Sequence, residues 1–66
     1  MQKWEYAWFE SIWSGDIRSQ FNTGVDDAQV KTNDLLVKMG NDGWELISVT
    51  SPDTTSFAFF FKRLKR

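Results

Sequence analysis

Aromatic residues spaced two apart near both ends of this chain constrain its fold more than any other sequence feature. They form two trios: Trp4, Tyr6 and Trp8, and Phe57, Phe59 and Phe61. Successive side chains of a β-strand point to opposite faces, so each trio lies on one face of a strand. Aromatic residues also favour strands. The sequence therefore predicts strands over residues 3–10, with a possible continuation through Ile12 and Trp13, and over residues 56–63.

Residues 44–50 alternate in the same way and predict another strand. Residues 51–55, Ser-Pro-Asp-Thr-Thr, predict a hairpin loop to the last strand, because proline suits the second position of a turn. Residues 17–25 leave two alternatives open, namely a short strand against the first one or an irregular loop.

The pattern predicts one helix, over residues 26–39. Its apolar stripe on a helical wheel comprises Ala28, Thr32, Leu35, Leu36 and Met39. Asp26 and Asp27 suit the positive end of the helix dipole, and Gly40 follows the stripe as a C-terminal cap would. Gly43 is predicted to permit a tight reversal into the strand at Trp44.

These elements predict a single α+β domain over residues 1–66. It has a three- to four-stranded, antiparallel-rich sheet with one helix packed on one face, in the order strand, helix, strand, strand. The Phe-rich last strand is expected in the centre of the sheet, because it is almost wholly apolar.

One helix cannot cover a sheet whose strands are apolar on both faces. Phe9 opposes Trp8, Ile47 opposes Leu46, and Phe60 opposes Phe59. With no Cys and no His, the chain has neither disulfides nor the usual zinc sites to stabilise its small core. Either residues 11–25 fold over the second face, or another copy of the chain does. We expect a homo-oligomer, and a dimer above other sizes.

The absence of Cys and His also limits the catalytic mechanisms that this chain can use. A Ser-His-Asp triad, a cysteine nucleophile and a histidine base are all excluded. We expect Glu5, Glu10 and Glu45 on solvated strand faces, and therefore no enzyme, no cofactor and no metal site. No apolar run approaches the roughly 20 residues that span a bilayer, so we expect no membrane segment and a cytoplasmic location.

The charge is concentrated at the C-terminal end. Residues 1–61 hold four basic and nine acidic residues, a net charge of −5, whereas Lys62, Arg63, Lys65 and Arg66 add +4. Charges beside a β-prone stretch such as residues 56–61 protect against aggregation. The alternative is that these four residues bind phosphate or an acidic partner.

The aromatic residues are the main candidates for function. We single out as interface or ligand-stacking residues Trp4, Tyr6, Trp8, Trp13, Phe57, Phe59 and Phe60. The first hypothesis is a non-enzymatic interaction module that self-associates through an aromatic sheet face and binds a protein partner. The alternative is a nucleotide- or nucleic-acid-binding module, with bases stacked on the aromatic rings beside the basic tail.

Residues 39–49, Met-Gly-Asn-Asp-Gly-Trp-Glu-Leu-Ile-Ser-Val, resemble a motif of the DUF4177 family, small bacterial and phage proteins of unknown function. Lys3-Trp4-Glu5-Tyr6 and Phe61-Lys62-Arg63 are similar to the family's first and last strands. Met39 stands where leucine is usual. The resemblance implies a strand-helix-strand-strand fold and brings no catalytic residues. The phage members of the family suggest an accessory or immune-evasion protein that acts by binding.

Overall fold

The computed structural model describes residues 2–25 and 30–65, and these form four strands and one helix. The elements are β1 (Trp4–Ile12), β2 (Ile17–Phe21), α1 (Thr32–Asn41), β3 (Glu45–Asp53) and β4 (Ser56–Leu64). The strands form one antiparallel sheet in the order β2-β1-β4-β3. The predicted α+β fold is confirmed, and β4 lies between β1 and β3 as expected.

Residues 17–21 resolve the first open alternative in favour of a strand. A turn reverses the chain after β1, with Gly15 at φ +88° and the Ile12 N–H donating to the Asp16 carbonyl over 3.0 Å. β2 then pairs with β1 and extends the sheet sideways. This segment therefore widens the sheet, and its Val25 packs on the same core as the helix.

The helix begins later than the sequence pattern indicates. Lys31 has an extended backbone (φ −81°, ψ 158°) and forms a β-bridge with Asp16, and the Thr32 N–H donates to the Gly15 carbonyl over 2.8 Å. The predicted start at residue 26 is therefore wrong, because residues 30–31 are held against the β1–β2 turn. The predicted N-terminal residues Asp26 and Asp27, and Ala28 of the stripe, lie outside the described residues.

The helix also ends later, and Gly43 is its terminating glycine. Gly43 has φ +86°, and its N–H donates to the Gly40 carbonyl over 3.1 Å, while the Trp44 N–H donates to the Met39 carbonyl over 3.0 Å. These two bonds define a Schellman motif, which an apolar contact between Trp44 and Met39 commonly accompanies. The prediction that Gly40 caps the helix is wrong, because α1 continues through Asn41.

The β3–β4 connection is tighter than the predicted five-residue loop. β3 continues to Asp53, and only Thr54 and Thr55 form the turn. Asp53 Oδ1 accepts hydrogen bonds from the backbone N–H and the hydroxyl of Thr55, both over 2.8 Å. Pro52 lies within β3, which is an edge strand and so tolerates a residue without an N–H.

The core lies between α1 and one face of the sheet. Its buried members are Ala7, Phe9, Ile17, Leu35, Met39, Trp44 and Phe61. Phe9 stacks on Phe59 and Phe61, with ring centroids 4.9 and 5.7 Å apart. The helix stripe is confirmed at Leu35 and Met39, which are fully buried, and Leu36 packs at the edge of the core.

Candidate functional site

The strand register divides the sheet into two faces. Ala7 and Phe9 of β1 pair with Phe61 and Phe59 of β4, and they form the covered face beneath α1. The alternate residues point the other way. Trp4 pairs with Leu64, Tyr6 with Lys62, and Trp8 with both Phe60 and Phe21. We call the apolar residues of this second side the open face: Trp4, Tyr6, Trp8, Phe21, Phe60 and Leu64.

The open face exposes large aromatic groups to solvent. Tyr6 and Phe21 are 55% exposed, Trp4 is 41% exposed and Phe60 is 36% exposed. Trp8 is half-buried in the middle, stacked on Phe21 with ring centroids 6.5 Å apart. Contiguous apolar patches on a soluble domain mark interaction sites, and clustered Trp and Tyr are typical of interface hot spots.

The open face is concave at one end. Arg18 of β2 reaches Asp53 of β3, with Nη1 and Oδ2 3.6 Å apart, although β1 and β4 lie between these two edge strands. In a flat sheet such strands are about 14 Å apart. The side chains of Arg18 and Asp53 thus reach towards each other over β1 and β4 and enclose this end of the open face. Ser56 and Ala58 are buried at this end.

A depression of about 320 Å³ lies in this concave end. Its lining, which we call the Glu10 pocket, consists of Trp8, Glu10, Ser19, Pro52, Ala58 and Phe60. The Glu10 carboxylate accepts a hydrogen bond from the buried Ser56 hydroxyl over 3.0 Å, and a longer one from Ser19. The Arg18 Nε lies 3.9 Å from the same carboxylate. The pocket combines aromatic walls, a small floor residue and a carboxylate.

The hairpin tip holds Asp53 in its ionised form. The Thr55 backbone N–H, followed by the hydroxyls of Thr55 and Ser56, lowers the pKa of Asp53 below its ordinary value. Asp53 and Glu10 carry two negative charges, and Arg18 carries one positive charge. This end of the open face therefore has one excess negative charge.

The opposite end of the open face projects bulky groups, which we call the aromatic end: Trp4, Tyr6, Lys62 and Leu64. The Lys62 ammonium lies 4.5 Å above the Trp4 ring and 3.8 Å from the Glu45 carboxylate. Leu64 is 48% exposed. The open face thus has a concave acidic end and a bulky end that carries a cation.

The predicted aromatic candidates do not form one surface. Trp4, Tyr6, Trp8 and Phe60 share the open face, whereas Phe57 and Phe59 lie on the covered face. The β1–β4 register puts the two trios on opposite sides of the sheet, so they cannot form one stacking surface. Trp13 is 70% exposed in the β1–β2 turn, where its indole N–H donates to the Thr54 carbonyl over 2.7 Å and its ring meets Phe57 edge-on.

The basic residues predicted to bind phosphate are also divided between the two sides of the sheet. Arg63 lies on the covered side, where it pairs with Glu5 at 2.5 Å, donates to the Asp42 carbonyl over 2.7 Å and stacks on Trp44 at 4.1 Å. A wide groove of about 1100 Å³ runs past Lys3, Arg63 and Lys65, and acidic Glu5 and Asp42 line it too. Arg66 lies outside the described residues. Through these contacts, Arg63 joins the sheet to the C-terminal end of the helix.

Edge strand β3 offers a second apolar surface. All nine of its residues are exposed, and Leu46, Ile47 and Val49 are each about half exposed. Leu46 pairs with Phe61 and Val49 with Phe59, which places both on the covered side, beyond the reach of the helix.

Sequence reasoning missed three open-face features. Phe21 belongs to a segment whose conformation the pattern left open, and Leu64 lies one residue past the predicted end of β4. The Glu10 pocket depends on the Arg18–Asp53 contact between residues distant in sequence, and no local pattern indicates such a contact. Alternation along β1 was the one signal that pointed to this face.

Two of the three strand carboxylates singled out from the sequence do not come together in the part of the chain that the structure describes. Glu5 and Glu45 fall on opposite faces, paired with Arg63 and Lys62 respectively. Among residues 2–25 and 30–65, no three acidic side chains come together as a metal site would require. The described helix α1 is too short and too polar to span a membrane.

No protein-family model, no curated protein and no solved structure matches this chain. The resemblance to the DUF4177 family therefore stays a prediction that depends on residues 3–6, 39–49 and 61–63.

Proposed function

We propose that this protein is a non-enzymatic interaction module that self-associates through its open face and presents β3 to a protein partner. The observation that carries the proposal is the exposure of the aromatic row across the open face, opposite a face that α1 already covers. Burial of apolar surface is the main driving force for association.

The dimensions of the open face suit an interface between two chains. Three strands of nine residues and one strand of five residues give a footprint of about 500 Å². That area lies just below the roughly 600 Å² that small specific interfaces bury on each partner, and so suits a weak, concentration-dependent dimer. A second sheet stacked at about 10 Å would complete a sandwich of two aromatic layers.

Sedimentation velocity between about 1 µM and 1 mM tests self-association. We expect the wild-type chain to shift from monomer to dimer in this range. Trp8→Ala removes the central aromatic group, and hot-spot truncations cost about 2 kcal/mol or more, about 30-fold in Kd. Tyr6→Ala tests the same face with a side chain that contributes little to the fold.

Trp13→Ala is the matched control. It removes the same indole from an exposed turn that lies off the open face. It should leave the dimer unchanged, while circular dichroism confirms that all variants are folded. A wild-type chain that stays monomeric at 1 mM, or equal weakening by Trp8→Ala and Trp13→Ala, would refute self-association through the open face.

The second part of the proposal places the protein partner on β3. Peptides add to exposed sheet edges through backbone hydrogen bonds, and adjacent apolar side chains supply specificity. Val49→Lys places a charge on this edge without touching the open face. It should abolish recovery of the partner in co-purification from the native host, identified by mass spectrometry, and leave the dimer intact. Equal recovery by wild type and variant would contradict this placement.

The nucleotide-binding alternative has less support. It requires free cations beside the aromatic rings, yet Arg63 is engaged on the other side of the sheet and Lys62 already contacts Glu45 and Trp4. The pocket on the open face is acidic, which disfavours phosphate. Tryptophan fluorescence titrated with ATP and with a short oligonucleotide distinguishes the two functions, since salt-dependent quenching would favour the alternative.

A further inference from the structure

We propose that the Glu10 pocket is the receptor for Lys62 of a second copy, so that two chains dimerise about a two-fold axis at the Trp8–Phe60 row. This inference rests on the proposed self-association and specifies its geometry. The open face carries both a concave end and a bulky end, so two copies can fit together.

The order of side chains along β1 and β4 is self-complementary. The Tyr6–Lys62 pair precedes the central Trp8–Phe60 pair, and the Glu10–Ala58 pair follows it. A two-fold axis across the strands at the central pair reverses this order in the second copy. The Tyr6–Lys62 row of one chain then lies over the Glu10–Ala58 row of the other, and the contact occurs twice, as a two-fold interface requires.

Shape favours this orientation over its alternative. If the axis ran along the strands, the two concave ends would face each other and enclose an unfilled cavity, and the two aromatic ends would collide. With the axis across the strands, the aromatic end of each chain enters the Glu10 pocket of the other. Filling that space matters because unfilled apolar cavities destabilise in proportion to their volume.

Charge favours the same orientation. The pocket end carries Glu10 and Asp53 against Arg18, and so has an excess negative charge. At the aromatic end, Glu45 balances the charge of Lys62, but the 3.8 Å contact between them is loose and leaves the ammonium group free to reach a second chain. An ammonium group between the Trp8 and Phe60 rings and beside Glu10 gains both cation–π and ion-pair contacts. With the axis along the strands, the two negatively charged pocket ends would face each other.

Charge reversal tests the contact directly. Glu10→Lys alone and Lys62→Glu alone each place like charges together at both symmetric contacts, and each should weaken the dimer at least about tenfold. An equimolar mixture of the two variants restores an opposite-charge pair at both contacts. We expect that heterodimer to form within about threefold of the wild-type Kd.

The controls separate this contact from general charge effects. Asp34→Lys and Lys3→Glu change net charge by the same amounts at exposed positions off the open face, and should neither weaken the dimer tenfold nor rescue each other. Because Glu10 also binds Ser56, Glu10→Gln provides a variant that retains a hydrogen-bond acceptor. It should weaken the dimer less than Glu10→Lys and remain folded.

A carbodiimide cross-link gives an independent readout. Within one chain, Lys62 pairs with Tyr6 and lies four residues, about 13 Å, from Glu10 along the strands, too far for a zero-length link. In a mixture of ¹⁵N-labelled and unlabelled protein, a Lys62–Glu10 link should join a labelled peptide to an unlabelled one.

The outcomes separate this inference from the proposed function. If Trp8→Ala weakens the dimer but the mixture of charge variants does not recover, or if neither charge variant weakens it, the open face dimerises in another register and the inference is overturned. If the wild-type chain stays monomeric, the proposed self-association falls, and the inference falls with it.

Discussion

The two faces of this sheet carry similar aromatic side chains but differ in how much of them solvent reaches. Phe9 on the covered face is fully buried against two phenylalanine rings, whereas Tyr6, three residues earlier in β1 and on the open face, is 55% exposed. A helix of ten residues, about 15 Å long, accounts for the difference. One face therefore supplies most of the folding energy of the domain, and the other leaves its apolar surface exposed to solvent.

The largest effect should come from removing a ring on the covered face. Phe9→Ala leaves a cavity in the core and should cost about 3–5 kcal/mol, close to the entire stability of a domain this small. Tyr6→Ala should change the free energy of unfolding by less than about 0.5 kcal/mol. Urea denaturation at low micromolar concentration measures both effects on the monomer.

The milder variant Phe9→Leu keeps that comparison measurable if Phe9→Ala does not fold. It should still lower the urea midpoint more than Tyr6→Ala does. Equal losses on the two faces would mean that the open face contributes to folding within one chain, contrary to the division described above.

Alternation predicted the two faces of β1 and β4 correctly because it is a local property, whereas the irregularity between Leu46 and Ser48 breaks it in β3. In β1, each residue's face follows from its position relative to Phe9, and the same holds for β4 around Phe59. The central position of β4 followed from its apolar composition. These inferences needed no knowledge of which residues meet across the chain.

The errors arose where distant residues decide local structure. The helix start was wrong because Lys31 pairs with Asp16 across the β1–β2 turn, although residues 26–31 fit a helical pattern by themselves. The Glu10 pocket went unpredicted because Arg18 and Asp53 are distant in sequence and meet only across the folded sheet. Local pattern thus predicted which side chains of β1 and β4 share a face, but not the long-range contacts that shape the open face.

The next largest effect on stability concerns the two glycines near the end of α1. Gly43→Ala forces a left-handed backbone on a residue with a Cβ and should destabilise the domain by about 1–2 kcal/mol. Gly40→Ala adds a methyl group inside α1, where nothing lies within 4 Å, and should stabilise by about 0.5–1 kcal/mol. Thermal unfolding of the two variants gives the comparison, and a loss of stability in Gly40→Ala as large as that in Gly43→Ala would contradict these separate roles.

A smaller effect distinguishes two adjacent cations. Arg63→Gln on the covered side loses the Glu5 ion pair and the stacking on Trp44, and should cost about 1 kcal/mol. Lys62→Gln on the open face loses a loose, exposed pair and should cost less than about 0.5 kcal/mol in the monomer. Chemical denaturation at low micromolar concentration measures both, and a larger loss for Lys62→Gln would show that Lys62, not Arg63, stabilises the fold.

The smallest effect concerns the curvature of the open face in acid. Because the Thr55 N–H and nearby hydroxyls lower the pKa of Asp53 in the folded chain, its stabilising contribution is present above pH about 4 and is lost as the pH falls through the lower folded-state pKa. Protonation also removes the contact with Arg18 that joins β2 to β3. The Trp8 indole N–H resonance should therefore shift in this pH range as the Glu10 pocket opens.

Two variants identify the carboxylate responsible for that shift. Asp53→Asn should abolish the acid shift of the Trp8 resonance, because the residue no longer titrates. Asp16, whose pKa is lowered mainly by its hydrogen bond from Lys31, lies in the β1–β2 turn, so Asp16→Asn should reduce the acid dependence of unfolding without altering the Trp8 shift. If Trp8 still shifts in Asp53→Asn, a group other than Asp53 causes the shift, and the Arg18–Asp53 pair does not control the shape of the Glu10 pocket.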